Sequence, residues 1–515
     1  MSNKLKTIID WSILIALALV SVLVRFPKAN ENFYNADATY HVLLTMKAYD
    51  ETPVSVHKFL PIVSLGQPED KFIPWGATVP DNLGNYYYTS FSPIGFVVPY
   101  LFVKLFHLPI NPNSLYIFNS ILYVLSMFLI VKLFFKLFDN IDKRFIMFIA
   151  GIAYLFQLEI MHGQGIVYWH QSLFQIIFIS QLILFERIRK EPENIRVLIC
   201  FFVLCLVAPY AEWTGFCGNF GFGVAFFFCF YKKRPNFLKY PAIIFLLTVV
   251  SFALFCLHYL AVIPASGFAN ALKERFMGRS ILVNASFLTF ASGYIVSFGL
   301  LIIFVTVFVF LIMLSGSNRK IFFKTIYERK EFLIVVCAAF SENIILRQHS
   351  IEYGYDKMKT ILLISFFLLC SVSVAMRGRI NRLDVIVMPV IAALVTISAL
   401  NLYIYTLTYW YKWPAPYIEE NQTIARELSS EYTLKNSILA HQNSTTRGYA
   451  NILWNRGIYE NYSIDKLVDI ANEKGKRYIV MLHCDGVEGS KINYNYDYYT
   501  VYDLQTDSVM EQRFR

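Results

Sequence analysis

Residues 8–24 read IIDWSILIALALVSVLV, an apolar run that follows Lys4 and Lys6. A helix of about 20 apolar residues crosses the hydrocarbon core of a bilayer, so a run of this length is a candidate membrane span. The next residues, RFPK at 25–28, contain no small-residue cleavage site. We therefore expect a retained first span and not a signal peptide that is removed.

Ten further apolar runs share this character. They fall near 115–138, 145–161, 172–186, 197–211, 214–231, 241–263, 291–314, 332–346, 360–376 and 384–408. The composition agrees, because 56% of the 515 residues are hydrophobic and only 16% are charged, against about 25% charged residues in soluble domains. This excludes a soluble enzyme, a disordered chain and a disulfide scaffold. The sequence predicts a polytopic α-helical membrane protein with about eleven transmembrane helices.

The stretch 94–108 is apolar too, but it is short and contains Pro99 and Lys104. These features favour a helix that lies in the membrane interface. Cytoplasmic loops are enriched in Lys and Arg. If 94–108 does not cross the membrane, most basic residues of the loops lie on the same side as the N-terminus. If it does cross, every later loop changes sides and this bias is inverted. We therefore expect a cytoplasmic N-terminus and an extracytoplasmic C-terminal region. The net charge of +10 is then explained by basic residues that flank the spans and orient them in the membrane. No nucleic-acid partner is expected.

Two domains are predicted. The transmembrane domain covers 1–409 and includes a first outer loop at 25–114, and residues 410–515 form a small soluble α/β domain on the outer face. Within this second domain, apolar residues recur with helical or alternating spacing. The spacing predicts helices at 418–431 and 464–474, and strands at 437–441, 477–483 and 498–504.

The first outer loop contains NADATYHVLL at 35–44, which places Asp37 close to Tyr40 and His41. A carboxyl group held at a membrane surface beside aromatic rings can have a raised pKa and act as a general base. We expect Asp37 to be catalytic and Tyr40 and His41 to contact the substrate. The alternative is that Asp37 caps a helix over 38–48.

A second charged segment, ENIILRQHSIEYGYDKMK, lies at 342–359. Arg347, His349 and Lys357 are expected to form a cationic pocket at the depth of lipid headgroups, which suits a lipid-linked phosphate or pyrophosphate. The alternative is simple anchoring, in which long basic side chains reach the interface.

Metal binding is left open by the sequence. Hard cations favour oxygen ligands, so a divalent metal shared by Asp37 and Glu159 is one alternative, and no other cofactor is predicted. The chain contains no phosphate-binding P-loop, no GxGxxG before a strand, no HExxH and no GxSxG motif. Nucleotide hydrolysis and dinucleotide chemistry therefore lack their usual signals.

The arrangement of these segments resembles the C-type superfamily of membrane glycosyltransferases (GT-C). That superfamily includes protein O-mannosyltransferases, aminoarabinose transferases and oligosaccharyltransferases. The resemblance rests on three segments: the one around Asp37 in the first outer loop, residues 86–107 with SPIGFVVPYL at 92–101, and residues 342–359 with the RQHxxxYxYDxMK pattern. It implies transfer of a hexose or pentose from a polyprenyl-phosphate or pyrophosphate donor to a glycan, lipid or protein acceptor at the cell envelope, with inversion.

The same resemblance implies roles for residues. Asp37 would deprotonate or orient the acceptor, and Arg347, His349 and Lys357 would contact the donor phosphate. Many members carry two adjacent acids in the first loop, whereas Ala36 and Ala38 flank Asp37 here. The WWD motif of oligosaccharyltransferases is absent from 410–515, which argues against protein N-glycosylation. The rival interpretations are a transporter or flippase of lipid-linked sugars and a non-catalytic membrane scaffold.

Overall fold

The computed structural model describes residues 3–26, 36–66, 71, 73, 77–231, 235–283, 285–377, 383–407, 418–442, 454, 456–460, 462–483 and 498–513. The chain forms two compact units. The first contains Met1–Pro27, Tyr116–Phe255 and Phe276–Thr408, and the second contains Lys28–Leu115, Cys256–Arg275 and Tyr409–Arg515.

Helices make up most of the described chain. In chain order they are α1 (Asn3–Arg25), α2 (Ala36–Glu51), α3 (Val54–His57), α4 (Ile94–Leu105), α5 (Pro112–Leu137), α6 (Lys143–Leu155), α7 (Leu158–Met161), α8 (His170–Lys190), α9 (Ile195–Ala211), α10 (Thr214–Phe230), α11 (Lys239–Leu260), α12 (Ala265–Arg279), α13 (Phe287–Met313), α14 (Gly316–Tyr327), α15 (Lys330–Ile345), α16 (Arg347–Glu352), α17 (Thr360–Met376), α18 (Leu383–Leu407), α19 (Ile418–Glu431) and α20 (Ile464–Glu473).

Each of the eleven predicted spans overlaps a described helix, and the run at 145–161 overlaps the pair α6 and α7. Among the described residues, seven helices are long and apolar enough to cross a membrane, and the bent pair α6–α7 raises this number to eight. The shorter apolar helices α9 and α10 have 17 residues each, near the lower limit for crossing. The prediction of a polytopic helical membrane protein is confirmed, and the orientation of its termini stays a prediction.

The run at 145–161 is not the single straight span that its hydropathy predicted. Helix α6 ends at Leu155 because Gln157 adopts an extended conformation, with φ −80° and ψ 139°. The chain bends by 69° there and continues through α7 into a π-helical turn at His162–Ile166. One face of α5 supplies partners for the freed backbone groups. Asn119 Nδ2 lies 3.4, 3.1 and 2.8 Å from the carbonyl oxygens of Gly163, Gly165 and Val167, and the Tyr123 hydroxyl donates to the Leu155 carbonyl.

Helices α10 and α15 pack closely at Gly221 of α10. A Cβ atom at Gly221 would lie 2.7 Å from the Cβ of Ala338 and 2.9 Å from the Cα of Val335. Small residues of this kind let two helix backbones approach each other within a membrane. This contact helps to fix the position of Glu342 at the C-terminal end of α15.

The second unit contains the first loop. Strands β1 (Thr78–Pro80) and β2 (Tyr86–Tyr88) form an antiparallel hairpin. Helix α4 has 12 residues, about 18 Å of helix, which is too short to cross a bilayer of about 30 Å. The Tyr259 hydroxyl lies 2.7 Å from the carbonyl oxygens of both Tyr88 and Phe91, which ties residues 256–275 to the first loop.

The C-terminal part contains a five-stranded sheet in the order β4-β3-β5-β6-β7. Its strands are β3 (Ser437–Gln442), β4 (Tyr459–Glu460), β5 (Tyr478–His483), β6 (Tyr498–Asp503) and β7 (Ser508–Arg513). Strand β3 pairs in parallel with β4 and β5, and the pairs β5–β6 and β6–β7 are antiparallel. Alternate residues of β3 and β5 face two apolar clusters, one including Ala425 and Leu428 of α19 and the other including Leu467 and Ala471 of α20. The predicted α/β domain at the C-terminus is confirmed. Its outer location and the boundary between 409 and 410 stay predictions.

Candidate functional site

A group of buried ionisable residues lies at the ends of several helices of the first unit. We call it the charged cluster. Its members are Glu159, Glu212, Glu342, His349, Asp356, Lys357 and Lys359, all less than 9% exposed. Charged side chains within a membrane protein are rarely buried without a partner, so the contacts of each member indicate its role.

Asp356 accepts hydrogen bonds from two other elements. Its Oδ2 atom shares a hydrogen bond with Nδ1 of His349, and Gln171 Nε2 donates to its Oδ1 atom over 2.6 Å. Asn343 Nδ2 also donates to the Asp356 backbone oxygen over 3.2 Å. The short segment between α16 and α17 is thereby attached to α8 and α15.

Lys359 makes the second set of contacts. Its ammonium group forms an ion pair with Glu342 and donates to the Thr214 hydroxyl over 3.1 Å. The backbone N–H of Thr214 donates over 2.6 Å to Glu212. Burial, followed by the nearby charge of Glu342, raises the pKa of Glu212 to about 8. A raised pKa favours the neutral form of Glu212 beside the ion pair of Lys359 and Glu342.

Glu159 lies in the bent pair, next to the segment that precedes α17. Ser297 donates to its Oε2 atom over 2.9 Å, and Lys357 provides an opposite charge nearby. A Cβ atom at Gly354 would lie 2.4 Å from Glu159 Oε1, so glycine is needed at 354 for this approach. The Oε1 atom is buried and has no hydrogen-bond partner among the described residues.

Arg347 differs from the basic residues around it. Arg279, for example, is engaged, since its guanidinium group pairs with Glu352 and lies 4.9 Å from the centre of the Tyr353 ring. Arg347 is partly exposed at the start of α16. Its Nε atom is buried without a hydrogen-bond partner in the described part of the chain. The Arg347 Nε–H group can therefore donate a hydrogen bond to a ligand beside the charged cluster.

The other predicted site residues lie in the second unit. Helix α2 begins at Ala36, so Asp37 lies in its first turn and does not precede the helix as a cap. Tyr40 is buried. The His41 ring lies 4.3 Å from the Tyr88 ring and 5.7 Å from the Phe96 ring, measured between centroids. The structure therefore groups Arg347, His349 and Lys357 in one unit and Asp37, Tyr40 and His41 in the other, and a shared pocket stays a prediction.

The predicted metal site involves Glu159 and Asp37. Within the described ranges, no three residues of the His, Cys, Asp and Glu types are arranged to hold a metal ion. Glu159 offers one buried carboxylate oxygen, while Asp37 belongs to the other unit. Their joint binding of a divalent cation therefore remains a prediction.

Sequence reasoning missed the neutral residues that position the charged ones. Gln171, Thr214, Ser297 and Asn343 come from α8, α10, α13 and α15, and each contacts a member of the charged cluster or its backbone. Their only sequence signal is a polar side chain within or beside an apolar run, a pattern that often marks a functional site in membrane helices.

Two solved structures are similar to this chain over most of its length. The oligosaccharyltransferase of Archaeoglobus fulgidus, solved with a tethered acceptor peptide, is 13% identical with a TM-score of 0.58, and the match covers 92% of this chain and 69% of that one. ArnT from Cupriavidus metallidurans, solved with undecaprenyl phosphate, is 11% identical with a TM-score of 0.55, and the match covers 93% of this chain and 94% of that one.

These structural neighbours are GT-C glycosyltransferases. No protein-family model and no curated protein matches the sequence. At this identity the likeness establishes the fold alone, and it confirms the GT-C fold that the sequence resemblance implied.

Proposed function

We propose that this multi-pass membrane protein, which has the GT-C fold, is a glycosyltransferase. It moves a hexose or pentose from a polyprenyl-phosphate or pyrophosphate donor to an extracytoplasmic acceptor. One neighbour of the same fold was solved with undecaprenyl phosphate and another with an acceptor peptide. The observation that carries the proposal is Arg347, whose buried Nε atom lacks a partner among the described residues.

The proposed donor site uses the cationic side of the charged cluster. When the bond between the anomeric carbon and the phosphate oxygen breaks, the lipid phosphate leaves with additional negative charge. Arg347, with His349 and Lys357, would stabilise that charge because fixed cations act strongly in a site that excludes water. Asp356 shares a hydrogen bond with His349, and Glu159 provides an opposite charge near Lys357. Arg347, whose Nε atom has no partner among the described residues, would bind the phosphate.

Asp37 is the proposed general base. It accepts the proton of the acceptor nucleophile as that atom forms the new bond to the anomeric carbon. A single displacement of this kind inverts the configuration at that carbon and needs no second carboxylate as a nucleophile. Tyr40 and His41 follow Asp37 on α2 and would contact the sugar or the acceptor.

The test is donor binding and turnover by the full-length protein in lipid nanodiscs, with a radiolabelled polyprenyl-phosphate sugar. Arg347→Ala should weaken donor binding by about 30-fold or more, since removing one partner of a buried charge pair costs about 2–5 kcal/mol. Arg319→Ala is the matched control, because Arg319 is an exposed arginine on α14, away from the charged cluster.

Equal, small losses in the two variants would contradict the donor site. If the wild-type protein binds the donor and moves it between leaflets of a vesicle without transferring the sugar, the transporter interpretation replaces the proposal.

A further inference from the structure

A second polar site lies at the other end of the helices that build the charged cluster. An open cavity of about 380 Å³ is lined by residues at the C-terminal ends of α5, α8 and α10 and by residues 328–329. Gln171, which contacts Asp356 of the charged cluster, lies near the start of α8, and Lys190 ends the same helix. The two residues are about 28 Å apart along the helix axis, close to the thickness of a bilayer core.

The arginines of this cavity are engaged within the protein. Arg189 pairs with Glu186 at 2.9 Å and with Glu331 at 3.4 Å. Arg329 donates to the backbone carbonyls of Leu137 and Thr325 over 2.7 and 2.9 Å. The Leu137 carbonyl is the last of α5, so Arg329 stabilises the negative end of that helix. Both arginines shape the wall of the cavity.

Two lysines remain available to a ligand. Neither Lys136 nor Lys190 forms an ion pair or a side-chain hydrogen bond with the described residues, although both line the cavity. The charges of Lys190, Arg187 and Lys132 repel that of Lys136, and the carboxylate of Glu191 offsets part of this repulsion. Three carboxylates line the cavity. Glu186 pairs with Arg189, and Glu328 lies 3.7 Å from Arg329. Asp139 is the one of the three without an arginine partner among the described residues. A bound anion would relieve the repulsion between the lysines.

The position of the cavity indicates the class of anion. It opens where the apolar helices α5 and α8 end, the depth at which phospholipid phosphates lie. Basic pockets between transmembrane helices at the cytoplasmic surface bind anionic lipid headgroups, and the basic residues around this cavity are those that predict a cytoplasmic face. We propose that this cavity, through Lys136 and Lys190, is a binding site for a phosphate group, supplied by the headgroup of an anionic phospholipid.

The proposal can be tested without any activity assay. The full-length protein is placed in nanodiscs of phosphatidylcholine with increasing amounts of phosphatidylglycerol, and lipid retention is measured by native mass spectrometry alongside the thermal unfolding midpoint. The variant is Lys136→Gln with Lys190→Gln. Its control is Lys320→Gln with Lys324→Gln, two exposed lysines of α14 that do not line the cavity. A third variant, Lys136→Arg with Lys190→Arg, keeps both charges.

We expect the glutamine variant to bind phosphatidylglycerol about 10- to 30-fold more weakly, because each lysine near the headgroups contributes about 1 kcal/mol. The α14 control and the arginine variant should bind like the wild type. If inorganic phosphate in pure phosphatidylcholine reproduces the stabilisation through the same lysines, the phosphate site stands and its ligand is soluble. Equal losses in the cavity variant and the α14 control, or no loss in either, would overturn the proposal.

Discussion

Asp37 and Asp465 occupy equivalent positions, since each lies in the first turn of a helix of the second unit. A negative charge there interacts favourably with the helix dipole, typically by 0.3–1 kcal/mol. Replacement by asparagine should therefore cost each helix a similar, small amount of stability. The difference we expect is chemical: Asp37→Asn should lower the rate of sugar transfer by about 10²–10⁴-fold, the usual contribution of a general base. Asp465→Asn should leave the rate unchanged.

The measurement is single-turnover transfer with the donor at saturation, together with thermal unfolding of both variants. Equal rates of sugar transfer in Asp37→Asn and Asp465→Asn would contradict the role of Asp37 as the general base. The contribution of Asp37 would then be limited to stabilising the start of α2.

At this scale the sequence predicts charges better than it predicts their partners. Arg347, His349 and Lys357 were recognisable because basic residues are unusual among apolar spans. Gln171 contacts Asp356 across 185 positions of the chain, and Ser297 contacts Glu159 across 138. No local spacing encodes such pairs, because they depend on how the helices pack.

Among the elements, the pair α10 and α15 offers a direct test of close packing. Gly221→Ala would place a methyl group 2.9 Å from the Cα atom of Val335, and a backbone atom cannot move aside as a side chain can. We expect a loss of about 1–3 kcal/mol in stability, typical of overpacking. Gly223→Ala is the control, because a Cβ atom there meets nothing within 4 Å, and it should be neutral or stabilising.

Thermal unfolding of the two variants in the same lipid gives the comparison. Equal melting temperatures would show that α10 and α15 can separate at no cost, which would contradict the packing described here.

Most elements could be predicted from hydropathy, but the break between α6 and α7 could not. The run at 145–161 is apolar enough to be taken for a continuous helix. Its interruption at Gln157 is stable because polar groups on one face of α5 satisfy the freed carbonyls. These α5 side chains lie 32 and 48 positions before the carbonyls that they contact. In the C-terminal sheet, the two-residue strand β4 was similarly below the length at which alternation can be recognised.

For the whole molecule, the main open prediction is orientation. Ser317 lies on α14 and Ser430 on α19, and both are exposed. If the N-terminus is cytoplasmic and the C-terminal domain extracytoplasmic, a cysteine at Ser430 should react with a membrane-impermeant maleimide added to intact cells. A cysteine at Ser317 should react only after the membrane is opened.

The unsubstituted chain is the control for the native cysteines, and Cys200 and Cys337 are the exposed ones in the described part of the chain. Labelling of both introduced cysteines from the same side would contradict the predicted topology. The prediction rests on the distribution of basic residues alone, since the fold itself has no marker of which face is cytoplasmic.

The bent pair α6–α7 has a consequence for how the protein is made. Lipid cannot satisfy the backbone carbonyls that such a break exposes, so residues 143–166 are poorly suited to enter the membrane alone. Their partners, Asn119 and Tyr123, belong to α5, and Arg25, which donates to the Met161 carbonyl, ends α1. Both helices precede the bend in the chain. During synthesis, a ribosome therefore delivers the polar partners to the membrane before the segment that requires them.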